Sequence, residues 1–409
     1  MTVTSPPLRL WLSALVLAIS SGFHFGYNLV LTNPTEPAFK AFLNSSMTAA
    51  NRGHPPDASS LNNLWSLYVS LLFFGSVFGS FFIQPLADRL GRKRANFIST
   101  IGQAIAVAVS IVSFFINSHI LYAISRCLLG FFQISLVVCS IAASPQYLGT
   151  TTLWWLLYAL ELVIFIITLV ALPFIPESPS FLCSGGDDEG AARSFQFFHG
   201  ISGIELEKVM AHQKNDVLHS RKAISMLGLL HDKENRLNAL TGVVVMLTMA
   251  MGGIVVIDAY AFDILQQVGL ESAVAAWVNV GISVIFVTGV LLSTPFIDRF
   301  GRRPLLLLTT LSTLIANCVI VIFMFLYQMH NERIYGILLI VAICAYALVF
   351  SAGPSSISLF ISAELCPAHV RGAAMTYSAI VMAGSRAIIL AIYPPLVCVL
   401  HTALVRHLF

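Results

Sequence analysis

From Ala95 to Ser125 the chain contains no acidic residue, lysine or arginine, and after Arg126 it runs again without one from Cys127 to Leu160. Runs of that length cannot wet a protein surface, but they match a bilayer, whose hydrocarbon core takes about 20 apolar residues of helix. In lipid every backbone N–H and C=O must be satisfied within the chain, which helices do. Composition extends the point to the whole sequence: 57% of residues are hydrophobic and only 10% charged, whereas a soluble chain carries roughly 25% charged residues. Soluble enzymes, nucleic-acid binders and disordered chains are excluded. A chain of 409 residues has room for about ten membrane helices with short loops, so the fold class is all-α and polytopic. The net charge of +3 implies no polyanionic partner, since charge position outweighs charge sum in membrane proteins. Seven cysteines without a CxxC pair argue against a zinc site or a disulfide framework. No metal or other cofactor is expected.

Ten spans are expected, over residues 8–31, 65–86, 95–116, 120–143, 153–174, 240–265, 273–297, 305–327, 335–362 and 375–400. The first outlasts a signal-peptide core and continues into Gly26-Tyr27-Asn28, so it reads as a retained helix. A polar stretch, 32–61, follows it and holds the acceptor sequence Asn44-Ser45-Ser46, which makes Asn44 a candidate glycosylation site on an outer loop. Glu177 to Asn238 is the long hydrophilic segment, with seven bases among nine acids, and reads as a linker with short amphipathic helices such as 204–210. The expected organisation is a membrane half at 1–175, a linker at 176–238 and a second membrane half at 239–409.

Pro85-Leu86-Ala87-Asp88-Arg89-Leu90-Gly91-Arg92-Lys93 recurs as Pro295-Phe296-Ile297-Asp298-Arg299-Phe300-Gly301-Arg302-Arg303. Each copy closes the second span of its half, as parallel-repeat transporters do. Asp and Arg on such a turn can pair with each other and with helix ends, holding two halves together in one state and releasing them in another. Anchoring of a loop by basic residues explains one such cluster; it explains an in-register repeat less well. By the positive-inside rule the first cluster is cytoplasmic, which puts the N-terminus inside.

With Phe25-Gly26-Tyr27-Asn28, Leu64-Trp65-Ser66-Leu67, the two repeated motifs, Pro176-Glu177-Ser178-Pro179-Ser180-Phe181-Leu182, Ala363-Glu364-Leu365 and Arg371-Gly372-Ala373-Ala374 in order, the chain resembles the sugar-porter branch of the major facilitator superfamily. Within it, the chain is similar to the animal facilitative glucose transporters. The resemblance implies two six-helix bundles about a central cavity, a helical cytoplasmic linker, and cofactor-free monosaccharide transport by alternating access in the plasma membrane. It places gate roles on Asp88, Arg89, Gly91, Arg92, Glu177, Asp298, Arg299, Gly301, Arg302, Glu364 and Arg371. The surviving polar candidates for the cavity are Asn28, Ser355, Ser356 and Ser358.

The sequence also departs from that pattern. The resemblance implies twelve spans; the fifth, expected after Gln146-Tyr147-Leu148-Gly149, and the twelfth have no counterpart. Five crossings would put the linker outside, against the basic second motif, unless one segment does not cross. Met249-Ala250-Met251-Gly252-Gly253-Ile254-Val255 stands where the resemblance implies sugar-binding amides, and Met382-Ala383 where it implies Asn-Trp. Arg126, Glu161, Asp258, Asp263 and Arg386 lie at membrane depth, where an ionisable group is by default functional or paired. Arg126 reads best as bonded to a carbonyl, Asp263 as reaching water, and Glu161 as either a proton carrier or a residue left at a damaged interface. Asp258 and Arg386, from the first and fifth spans of the second half, read as a cavity-lining pair. His24, Trp154 and Trp155 read as packing and interface-belt residues. No nucleotide loop, triad or His/Cys cluster is present, so no enzyme is expected. The leading reading is facilitative transport of a monosaccharide-like solute in the lipid bilayer; the alternative is a non-transporting sensor, assembly partner or inactive isoform.

Overall fold

The computed structural model describes residues 7–17, 19, 24–51, 53–132, 150–219 and 224–408, and among them there is no strand. The first expected span holds α1 (Leu8–Leu17) and α2 (His24–Leu31). The polar stretch after it contains a helix of its own, α3 (Glu36–Ala50). Its prolines mark a start rather than a break, since Pro37 sits in the first turn, where its missing N–H would be unpaired anyway. Ala38, Phe39, Phe42, Leu43 and Ser46 then share its buried face. Then come α4 (Ala58–Leu90), α5 (Arg92–Ile116), α6 (His119–Phe132) and α7 (Trp155–Ala171).

The linker folds into α8 (Pro179–Ser184), α9 (Asp188–His199), α10 (Ile204–His219) and α11 (Met226–His231). Ser178, Asp187 and Ser225 cap α8, α9 and α11 through side-chain oxygens that accept from Phe181 N, Gly190 N and Gly228 N. The remaining helices are α12 (Arg236–Ala250), α13 (Ile254–Gln267), α14 (Ser272–Phe300), α15 (Arg302–His330), α16 (Arg333–Phe350), α17 (Ser356–Leu365) and α18 (Ala368–Leu408), with a π turn at Ser351–Ser355 between α16 and α17.

Among the described residues eight helical stretches are long and apolar enough to cross a membrane, and two shorter apolar helices, Leu8–Leu17 and His119–Gly130, mark the first and fourth expected spans. Both adjoin residues outside the described set, which include the end of the fourth expected span and the point after which the sequence reading has no fifth. The outer faces are apolar and open, as on α15, where Leu307, Leu308, Leu311, Leu314 and Ile315 are exposed. In a bilayer that surface faces lipid.

α4 and α18 run antiparallel along the seam between the halves. Ser66 donates to the carbonyls of Leu390 and Ala391 at 3.2 and 3.3 Å, and further along α4 the Arg386 guanidinium lies 5.8 Å from the Phe73 ring centre. This register brings Leu90 and Ala368 to the same end, so both repeated motifs share one end of the bundle. The linker lies there too. Lys93 N–H donates to Glu177, and Ile224 N–H donates to the His369 carbonyl at 2.9 Å.

That settles the parity problem posed by five spans. α6 starts at the opposite end, where His119 N–H donates to Ser46 Oγ, and α7 starts there as well, with Trp154 packed on Phe39 and Phe114. The two helices therefore run in the same direction, and α7 delivers the linker to the motif end. Residues 133–149, which join them, lie outside the described set.

Candidate functional site

At the motif end, Gly91 and Gly301 each break one long helix from the next with φ of 90° and 81°. A residue with a Cβ is strained there, which explains the glycine in each copy. Around Gly91 the linker closes in. Both carboxylate oxygens of Glu177 accept from Lys93 N–H at 3.0 Å, an anion on the N-terminus of α5. Arg92 donates to Ser178 Oγ at 2.9 Å and Lys93 Nζ to the Pro173 carbonyl at 2.8 Å. Around Gly301 the contact is an ion pair, with Arg302 Nε and Nη2 on the two Glu364 oxygens at 3.2 and 3.1 Å. Asp88, Arg89, Asp298 and Arg371 make no hydrogen bond or ion pair among the described residues. Glu364 thus faces Arg302 rather than Arg371, and the Arg299 guanidinium lies over Phe300.

Halfway through the bundle, two helices of the second half break. Between α12 and α13 the turn Met251-Gly252-Gly253 depends on Gly253 at φ 95°. The Gly252 carbonyl, released from the helix ladder, accepts from Asn317 Nδ2 at 3.0 Å and Tyr346 Oη at 2.7 Å. Between α16 and α17 the π turn contains Pro354, and Ser356 Oγ donates to the Ser351 carbonyl at 2.7 Å. Broken helices at membrane depth are tolerated where the released backbone is satisfied or lines a cavity. Of the predicted serines, Ser356 and Ser358 bond to helix backbone, at Ser351 and Val245, while the Ser355 hydroxyl makes no hydrogen bond among the described residues. Asp258 lies one turn into α13, and it and Arg386 are electrostatic neighbours.

In the first half His24, Asn28, Arg126 and Glu161, all buried, form one network. Asn28 Nδ2 donates to Glu161 Oε1 at 2.6 Å and to the His24 carbonyl at 3.1 Å, and His24 Nδ1 lies 3.2 Å from the same Glu161 oxygen. Arg126 donates to the Asn28 carbonyl at 3.3 Å, the carbonyl bond expected of it. His24 is therefore more than packing: it binds a buried carboxylate and stacks on Phe165. Asn28, expected at the cavity, spends its amide N–H groups inside this network. Trp154 is fully buried among Phe39, Phe42, Phe114, Tyr122 and Tyr158, so it is a core residue and not part of an interface belt.

The far end holds contacts that motif reading missed. Asn33 Oδ1 accepts from Phe262 N–H at 2.8 Å, and Asn33 Nδ2 reaches the Ile257 carbonyl and Asn279 Oδ1 at 3.5 and 3.4 Å. This one side chain ties the α2–α3 corner to α13 and α14. Beside it, Glu36 is held by Lys40 at 2.6 Å, and burial pushes its carboxyl up to about 7 against the pull of that lysine. Asp263 accepts from Gln267 at 2.8 Å. Asn33 before a proline, and Asn317 within an apolar span, carried the missed signal: a polar side chain at or near membrane depth needs a partner. Asn44, the sequon asparagine, lies within α3, and Ser46 is buried against Asn117 and His119.

A sequence model described as Sugar (and other) transporter matches residues 14–144 and 134–409. The mouse protein named solute carrier family 2, facilitated glucose transporter member 4 is 26% identical over 90% of this chain and 80% of its own length. Human member 5 of that group is 27% identical over 88% and 77%. Among solved structures, the proton:xylose symporter XylE bound to 6-bromo-6-deoxy-D-glucose superimposes with a TM-score of 0.73 at 18% identity, covering 98% of this chain and 90% of that one. The partially occluded inward-open form of the xylose transporter XylE from E. coli gives 0.71 at 18% identity, over 94% and 92%. These structures share the major facilitator fold with the chain.

Proposed function

We propose, because the chain belongs to the Sugar (and other) transporter family, that it moves a monosaccharide, a hexose or related polyol, passively across the bilayer by alternating access. The observation that carries this reading is the pair of helix breaks at mid-depth, after Met251 and at Ser351–Ser355. They lie in a multi-pass membrane bundle whose two D-R-x-G-R turns share one end. Such breaks place backbone and side-chain polar groups where a solute stripped of water must be met. The match to the family over nearly the whole chain does not favour the alternative of a non-transporting isoform. No catalytic step is assigned.

The halves are taken as 1–175 and 239–409 and the linker as 176–238. Asp88, Arg89, Gly91, Arg92, Glu177, Asp298, Arg299, Gly301, Arg302, Glu364 and Arg371 act as the gate at the motif end. In this state Asn33 ties the far end together, while Asp88, Arg89, Asp298 and Arg371 make no hydrogen bond or ion pair among the described residues, which fits a transporter closed at the far end and released at the other. We place the motif end, with the N-terminus and linker, in the cytoplasm and the protein in the plasma membrane. Arg92, Lys93, Arg94, Arg302 and Arg303 cluster at that end, and Arg9 lies there over Phe197 of α9.

The test is uptake of labelled hexoses and polyols into vesicles reconstituted with the purified chain. Saturable uptake that equilibrates without an imposed ion gradient is expected. Uptake equal to that of empty vesicles for the whole panel overturns the proposal.

A further inference from the structure

Asp258 is the described acidic residue at mid-depth that the protein leaves without a donor. Its carboxylate accepts no hydrogen bond from any described residue, although an ionised carboxylate offers about four acceptor sites. Elsewhere in the bundle a buried carboxylate has a partner on one oxygen: Glu161 Oε1 accepts from Asn28 and lies 3.2 Å from His24 Nδ1, and Glu36 Oε1 takes Lys40, while the second oxygen of each is without one among the described residues. Asp258 is not simply turned out to lipid. It sits one turn beyond the break at Gly253, and its electrostatic neighbours are Arg386 of α18 and Tyr346 of α16, both buried. The residue is itself half-buried.

We propose that Asp258 is the specificity-determining residue of the second half: its carboxylate accepts hydrogen bonds from two adjacent hydroxyls of a neutral polyhydroxy solute. This deepens the transport reading above and rests on it. Three features point to that solute chemistry. An acceptor-only group needs a donor-rich partner, and a carboxylate spans two neighbouring hydroxyls as it spans the two N–H groups of a guanidinium. Arg386 beside it makes the site neutral overall, so an ammonium group on the solute meets the guanidinium and an anionic one meets the carboxylate. Apolar side chains flank the two charges on their own helices: Val255, three residues before Asp258, and Ala383, three before Arg386, are buried, and Phe73 lies under Arg386. They suit the C–H face of a ring. The carboxylate thus supplies the acceptors that apolar residues at 249, 250 and 255 cannot.

The test pairs protein variants with solute variants in reconstituted vesicles. Uptake KM is measured for a transported hexose and for its monodeoxy derivatives, with wild type, Asp258→Asn, Asp258→Ala and the charge-neutral double variant Asp258→Asn/Arg386→Gln. In wild type, loss of either of two adjacent hydroxyls raises KM about 10- to 100-fold, the range for hydrogen bonds to a charged group. Asp258→Ala raises KM for the parent hexose to a similar degree, and in that variant the same deoxy sugars suffer no further loss. The double variant, which removes both charges and leaves no unpaired ion, folds and shows the same loss of discrimination. A purely structural role for Asp258 leaves the penalties of the deoxy series unchanged in every variant that folds, and that result overturns the inference while leaving the transport reading intact. So does an amino sugar or a sugar acid that competes about tenfold better than the neutral hexose. If wild type takes up none of the neutral solutes, the transport reading falls and this inference with it.

Discussion

Gly91 and Gly301 turn the chain with nearly the same backbone, φ 90° and ψ 161° against φ 81° and ψ 164°. Each ends a helix that carries a proline six residues earlier, and each is followed by an arginine that opens the next helix. Their surroundings have nothing in common. A Cβ on Gly91 would collide with the Glu177 carboxylate and would lie 2.9 Å from Phe181, whereas a Cβ on Gly301 meets nothing within 4 Å. The first copy is locked to the linker by a carboxylate on backbone N–H. The second is held by one ion pair whose side chains are 43% and 41% exposed. Nine residues of duplicated sequence therefore specify a turn and leave its attachment to context. The first copy is a fixed joint and the second a loose one.

The largest test of that difference is alanine at each glycine. Both substitutions force a side chain into a backbone region that costs about 1–3 kcal/mol. Gly91→Ala must also displace Glu177, with a further overpacking cost of about 1–3 kcal/mol. Thermal unfolding in detergent should show Gly91→Ala the less stable of the two by that margin; equal losses would break the comparison.

Next in size is the pair Glu177→Gln and Glu364→Gln. The first weakens a charged acceptor at the N-terminus of α5 and is expected to cost about 1–2 kcal/mol, with faster amide exchange at Lys93. The second costs under about 1 kcal/mol, because an exposed pair is screened by water. A larger loss at Glu364 would show that the second copy is not loose. The smallest effect is the coupling between Arg302 and Glu364 themselves. A double-mutant cycle with Arg302→Gln and Glu364→Gln should give under about 1 kcal/mol, vanishing in molar salt.

The same division separates what the sequence discloses from what it withholds. The turns at Gly91 and Gly301, most of the spans and the helical character of the linker are local, written in periodicity and glycine, and they were readable; the caps that start the linker helices were not read. The partner of Lys93 N–H is 84 positions away, and the partner of Asn33 Oδ1 is 229 away, so no window along the chain contains both. His24 looked like a packing residue because the carboxylate it serves lies in another helix, 137 positions on. The side on which the linker lies could not be counted from span number alone, since that count assumes alternating directions and α6 and α7 share one. Asp258 and Arg386 could be set side by side from the sequence because charge at membrane depth is rare enough to point at its own counterpart, and they are electrostatic neighbours. Which group the carboxylate lacks became visible only from the donors around it.

Ser46 adds a matter of timing. Its hydroxyl donates to the Asn117 carbonyl at 2.6 Å and accepts from His119 N–H at 2.9 Å. The hydroxyl that defines the acceptor sequence at Asn44 is thus the one that pins α3 to the corner between α5 and α6. Once that corner closes, the acceptor sequence is helical and its serine is engaged. Any sugar chain at Asn44 would therefore have to be attached while the first loop is still unfolded, so that folding of the corner would set the deadline for modification.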